Sequence, residues 1–172
     1  MIVIANAVLP HMLQALDHIA SQGIIHRDVK PENILYVTQP DGQYWFQLGD
    51  FGLCGRCVDA APVAGSRLYM APEMFVGGVQ TSKVGVWSLF VTMMWTLDTE
   101  DFRQKSNRFM TNEGVRQAVA SATSNATLVS WLWEMAVVKS EDRASAAQML
   151  RKFCSGNGLS PLWKHLMESS PR

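Results

Sequence analysis

A mainly helical α+β domain is predicted by three features of the 172-residue chain. Apolar side chains recur at helical spacing in several segments. One pair of short β-prone runs brackets strong turn chemistry. A nearly unbroken apolar stretch, Val84 to Leu97, is fourteen residues long, short of the ~20 that span a bilayer, and fits a helix buried on all sides.

The elements follow in chain order. Leu9, Met12, Leu13, Leu16, Ile19 and Ala20 share one helical face. Pro10 suits a first turn and Gly23 the residue past the end, so a helix is expected from about Pro10 to Gln22. Ile34–Val37 and Tyr44–Leu48, joined through Gln39-Pro40-Asp41-Gly42, read as a β-hairpin. Further helices are expected at Val84–Leu97, near Glu113–Ser121, at Leu128–Val138 and at Ser145–Phe153. Arg56–Gly65 and the tail after Ser155 read as loose, and a single domain is the simplest organisation.

Fifteen basic residues balance fifteen acidic ones, which gives no overall field toward nucleic acid or a membrane surface. Three cysteines and no charged segment ahead of Met1–Val8 argue against a secreted disulfide framework. An intracellular setting, cytoplasmic or nuclear, is expected. Cys54-Gly55-Arg56-Cys57 is a lone C-x-x-C with no second pair for zinc, and His11 and His18 have no ligand partners in the pattern.

The chemistry concentrates around the hairpin. The loop before it reads His26-Arg27-Asp28-Val29-Lys30-Pro31-Glu32-Asn33, the loop after it Asp50-Phe51-Gly52, and Ala71-Pro72-Glu73 follows. This order and spacing resembles the H-R-D-x-x-x-x-N, D-F-G and A-P-E signatures of protein kinases. Twelve matching positions at a residue usage of roughly 5% arise by accident with a probability on the order of 10⁻¹⁶ per placement. The resemblance runs from about residue 8 to residue 155, and its wording is most like fungal kinases.

The resemblance implies the large lobe of a serine/threonine protein kinase over residues 1–155, with a tail over 156–172. It implies ATP and Mg²⁺ as cofactors and a protein Ser or Thr hydroxyl as acceptor, with no nucleic-acid or membrane partner. Asp28 would accept or orient the acceptor proton. Lys30 would balance charge on the transferring phosphoryl group, and Asn33 and Asp50 would hold the metal. Glu32 and Leu35 would border the nucleotide, Leu35 as the floor under the adenine. Ser66, in Gly65-Ser66-Arg67-Leu68-Tyr69-Met70-Ala71-Pro72-Glu73, would bond the catalytic Asp and Lys. His26, Arg27, Phe51 and Gly52 would be structural, and Glu73 would pair with a buried Arg143 at a cost of about 3 to 5 kcal/mol if one partner were removed.

Three departures qualify that reading. No glycine-rich loop, strand lysine or helix glutamate precedes His26, because the first lysine is Lys30 and the first glutamate Glu32. The small lobe is therefore expected to be absent unless upstream sequence supplies it. Gly85 stands where the family places an aspartate that receives backbone N–H groups of the catalytic loop. Its absence is expected to leave donors unpaired at about 1 to 3 kcal/mol, so Gly85→Asp is expected to raise the melting temperature. Residues 51–64 contain no Ser, Thr or Tyr for a phosphorylated anchor of Arg27, and Asp59 is the expected stand-in. Two functions stay open: phosphoryl transfer to protein Ser/Thr, and a truncated pseudokinase that binds a partner without turnover.

Overall fold

The computed structural model describes residues 2–57, 64–77, 79–108, 111–124 and 129–154. Asp59 and the 156–172 tail lie outside them.

Helix α1 covers Ile2–Ser21, with Pro10 inside it rather than at its first turn. A proline there removes one helical hydrogen bond and costs about 3 kcal/mol. The apolar stripe offsets this: Ala5, Val8, Leu9, Met12, Leu13, Leu16 and Ile19 are all buried and continue across the proline at helical spacing. Gly23, at φ 71°, ends the helix as predicted, and its N–H bonds Ala20 O at 2.9 Å.

Strand β1 (Ile24–Ile25) follows, then the catalytic-type loop, then β2 (Ile34–Thr38) and β3 (Tyr44–Leu48). β2 and β3 pair antiparallel with Ile34 opposite Leu48 and Thr38 opposite Tyr44, which is the predicted hairpin. A second two-stranded sheet pairs β1 with β4 (Gly55–Arg56), Ile25 opposite Gly55. Two-residue strands carry no periodicity, so the sequence could not announce this sheet. It matters because it clamps the start and end of the loops that hold the site.

The core helix, α2, is Lys83–Leu97, and every residue from Val84 to Met94 is buried. It packs on α1, which also contacts β3 and α5 (Ala146–Cys154). α3 (Phe102–Ser106) and α4 (Asn112–Ser124) complete the helices. α3 was not foreseen, since Asp98, Glu100 and Asp101 before it all adopt positive φ. Ser130–Ala136 forms a tight 3₁₀ run instead of the expected longer helix. Its carbonyls are drawn to outside donors: Trp131 O accepts from Lys152 Nζ at 3.1 Å, and Glu134 O from Ala144 N at 3.0 Å.

The structure revises the expectation for Gly85. A Cβ there would stand 2.8 Å from Leu16 Cδ2, and Leu16 is buried in the α1–α2 contact. An Asp would have to displace that methyl group and bury a carboxylate beside it. Gly85→Asp alone is now expected to lower the melting temperature by several degrees. Measured in a Leu16→Ala background, Gly85→Asp should cost less than it does in wild type, as a double-mutant cycle of thermal unfolding would show; an equal or larger cost in that background would remove the steric explanation.

Candidate active site

Three stretches meet at one place: the β1–β2 loop, the segment after β3, and Gly65–Met70. His26 joins the first two. Its Nε2 lies 2.9 Å from Gly49 O, and its ring meets the edge of Phe51 at 4.9 Å between centroids. Burial pushes the His26 pKa down, against the Gly49 carbonyl, Asp28 and Asp50. The neutral ring donates from Nε2, so Nδ1 faces the Asp28 N–H at 3.4 Å.

Arg27 has φ 70°, and its guanidinium lies over the Cα of Gly55, leaving no room there for a Cβ. Its Nε and Nη2 are buried without a hydrogen-bond partner among the described residues. Gly65, at φ 112°, passes so close to the loop that a Cβ would stand 2.5 Å from Arg27 O. Only glycine fits both conditions. This close passage brings the next residue, Ser66, against Asp28.

Asp28 is the centre of the cluster and is 6% exposed. Oδ1 accepts the Ser66 N–H at 2.9 Å, and Oδ2 lies 2.7 Å from Lys30 Nζ. Asn33 Nδ2 donates to Asp28 O at 2.8 Å and to Oδ2 at 3.1 Å. Lys30 Nζ also donates to Ser66 Oγ at 2.8 Å. Burial alone would raise the Asp28 pKa, but the Lys30 ammonium and the Ser66 donors outweigh it and hold the carboxyl below the usual range. The group is a carboxylate at neutral pH.

Gly49 N donates to Asn33 O at 2.8 Å, which ties the start of Asp50-Phe51-Gly52 to the end of the catalytic-type loop. Asp50 is exposed, has φ 56°, and accepts the Gly52 N–H on Oδ1 at 3.3 Å. Leu35 is 55% exposed on β2, its side chain against Gly49. Glu32 is exposed and outside the hydrogen-bonded cluster. Burial, with a smaller contribution from the Glu32 charge, raises the pKa of Tyr69.

Asp28, Lys30, Asn33 and Ser66 are thus brought together by direct hydrogen bonds, and Asp50 joins them through backbone contacts. Glu73 and Arg143 form a separate network under the Ala71–Glu73 segment. Arg143 Nη1 and Nη2 reach the two Glu73 carboxylate oxygens at 2.6 and 2.9 Å. Arg143 also donates to Val137 O, Lys83 O and Val138 O, and its guanidinium stacks on Trp87 at 5.1 Å. Gly49, Gly55 and Gly65 were missed as site residues. Their signal was adjacency to the motif residues, but what each one must avoid lies far away in sequence.

The family described as protein kinase domain matches residues 3–155. The chain belongs to the protein kinase family. Similar kinases include the mouse serine/threonine-protein kinase DCLK2, 36% identical over 106 residues that make up 59% of this chain and 14% of the mouse protein. The fission yeast Schizosaccharomyces pombe MAP kinase kinase skh1/pek1 is 41% identical over 85 residues, 48% of this chain and 22% of that protein, in partial agreement with the fungal wording. The calcium/calmodulin-dependent protein kinase type 1 of Macrobrachium nipponense is 37% identical over 90 residues, 51% of this chain and 26% of that kinase. The matched stretches of these three thus cover between 14% and 26% of each relative's length. The mouse relative is named a serine/threonine-protein kinase, and among the described residues of this chain no helix is long and apolar enough to cross a membrane.

Proposed function

We propose that this chain is the large lobe of a serine/threonine protein kinase that transfers the γ-phosphoryl group of ATP to a protein hydroxyl, with the domain over residues 1–155 and a tail over 156–172. The observation that carries this reading is the set of partners on Asp28. A buried carboxylate held ionised by Lys30, aimed by Asn33 and braced by the Ser66 N–H is a general base fixed in one orientation. Phosphoryl transfer needs that base, a cation beside the transferring group, and hard oxygen ligands for the metal.

Asp28 accepts or orients the proton of the acceptor hydroxyl. Lys30 sits within reach of the same oxygen and offsets the charge that gathers on the phosphoryl oxygens. Ser66 bridges the two, holding Lys30 by its hydroxyl and Asp28 by its N–H.

The donor set fits Mg²⁺. Asn33 spends its side-chain Nδ2 on Asp28 and keeps its side-chain Oδ1 without a protein donor among the described residues, and the exposed Asp50 keeps Oδ2 in the same condition. Held by Asn33 and Asp50, Mg²⁺ would supply positive charge against the phosphate oxygens. Leu35, exposed beside Gly49, offers an apolar seat for the adenine. Glu32 borders the nucleotide, and the protein substrate approaches from the Ser66 side.

A second reading, a partner-binding module without turnover, draws on Gly85: Leu16 fills the space where the family holds a carboxylate under the loop. The full protein containing this sequence, given Mg²⁺, labelled ATP and a serine peptide, separates the two. Label transferred to the peptide supports the kinase. Nucleotide and peptide binding with no transfer supports the module.

A further inference from the structure

Helix α1 carries two histidines, His11 and His18, and the first of them is tied to the hairpin. β3 pairs with β2 along one edge only, since the hairpin is a two-stranded sheet. Alternate N–H groups of β3 therefore point away from β2. One of these belongs to Phe46, and His11 takes it: Phe46 N donates to His11 Nδ1 at 3.3 Å. The His11 ring also stacks on Trp45, 4.9 Å between centroids and 26° between planes. Through these two contacts α1 holds the hairpin by its free edge.

The two contacts answer differently to a proton. Nδ1 accepts the Phe46 bond only while it carries no hydrogen, so the ring is neutral with its hydrogen on Nε2. A second proton turns that acceptor into a donor facing another donor, and the bond is lost. The Trp45 face takes a charged ring as readily as a neutral one, so the stack does not resist the change. Burial pushes the His11 pKa down from its ordinary 6.5, and no neighbouring charge offsets it. The ring borders a groove of about 340 Å³, through which solvent reaches it, and His18 is the other titratable side chain among the described residues of its lining. Asp17 on α1 is half-buried and outside that lining, and from the hairpin Tyr36 and Tyr44 pack on Phe46. Of the other elements packed on α1, β1 carries no titratable group, Lys83 of α2 donates to Glu141 O, and on α5 Lys152 is paired with Glu134 while Arg151 is exposed.

What this contact steadies is the base of the site. Asn33 directly precedes β2, Asp50 stands two residues after β3, and Leu35 rides on β2. We infer that His11 is a proton-operated latch: neutral, it holds β3 against α1, and protonated, it releases the hairpin that positions Asn33, Leu35 and Asp50. The latch stands on the His11–Phe46 contact, whereas its effect on nucleotide rests on the kinase reading. A released ring has the ordinary value of 6.5 and takes up a proton before a held one does. The hold is therefore complete well above that value and is lost as pH falls through it towards the held value.

The test uses the full protein and hydrogen exchange at the Phe46 amide, corrected for the intrinsic pH dependence of exchange. It spans about pH 7.5 to 5.5, which brackets the ordinary histidine value. Wild type is expected to lose about 5-fold in protection across that span, the worth of one hydrogen bond. His11→Asn, whose Oδ1 can take the same N–H and does not titrate, should keep its protection, and His18→Asn should follow wild type. The Kd for Mg²⁺–ADP should rise as protection falls in wild type and stay level in His11→Asn. Equal pH dependence of exchange in wild type and His11→Asn overturns the inference. So does an NMR titration of wild type in which the His11 ring gains its proton while Phe46 stays protected, a result that needs no variant. If no form binds Mg²⁺–ADP, the kinase reading fails on its own, and the exchange ratios still decide the latch.

Discussion

Replacing Asp28 by Asn is expected to lower phosphoryl transfer to peptide by about 10²- to 10⁴-fold, the range over which a positioned general base acts. The substitution is nearly isosteric. One side-chain oxygen remains to take the Ser66 N–H, whose distance is now 2.9 Å, so the loop keeps its course. Lost are the charge that holds Lys30 and the basicity that orients the acceptor proton. Stability should fall by only about 1 kcal/mol, and nucleotide binding, which rests on other groups, should change little. The informative result is the split between a collapsed kcat and a nearly unchanged nucleotide Kd. Equal transfer by the variant would show that the Asp28 cluster is not the reacting centre.

The same carboxylate has a pH signature. Its pKa is depressed in the folded state, so the unfolded chain takes up the proton first as pH falls. The stability that Asp28 contributes is therefore present above its unfolded value, near 3.8, and is lost as pH drops through the folded value. Asp28→Asn should lack that component of the acid loss, which urea unfolding between pH 5 and 3, roughly the window just around the unfolded pKa, would reveal.

The largest structural effect is expected at Arg143. This side chain is 1% exposed and donates to both Glu73 oxygens and to three backbone carbonyls. Arg143→Ala removes every one of these donors at once. It leaves Glu73 with an uncompensated charge and the carbonyls of Lys83, Val137 and Val138 without that donor, and it opens space beside Trp87. Breaking a buried pair from one side costs about 3 to 5 kcal/mol, a large part of the roughly 5 to 15 kcal/mol that holds a domain folded.

Arg143→Lys should rescue little, since an ammonium cannot match the two parallel bonds to one carboxylate. Glu73→Gln is the milder partner change: the buried Arg143 loses its counter-charge, but the amide oxygen and the carbonyls of Lys83, Val137 and Val138 still accept its N–H groups. The order of urea midpoints should run wild type, Glu73→Gln, then Arg143→Lys and Arg143→Ala close together. A fully stable Arg143→Ala would mean that the pair is decorative.

Much of this was legible in the chain. The motif residues Asp28, Lys30, Asn33 and Ser66 were picked out by the resemblance to the kinase signatures, and they meet through direct hydrogen bonds. The hairpin was legible from its turn chemistry, and α2 from an apolar run too short to span a membrane. Even the Glu73–Arg143 pair, seventy residues apart, followed from the resemblance. These are properties carried by local sequence or by the pattern that the family shares.

What the sequence alone determined, then, is which motifs are present and which segments are helix or hairpin. The tertiary structure decided where those groups meet and what they must avoid. Pro10 was placed at a helix start because local rules favour it there, but burial of Ala5 through Ile19 carries α1 straight across it. Gly85 looked like a missing carboxylate until Leu16, from another helix, was found in its space. Gly55 and Gly65 carried no role of their own in the motifs, and the structure sets Arg27 against both. In each case the deciding energy is a contact between residues distant in the chain, and such contacts exist only once the chain has folded.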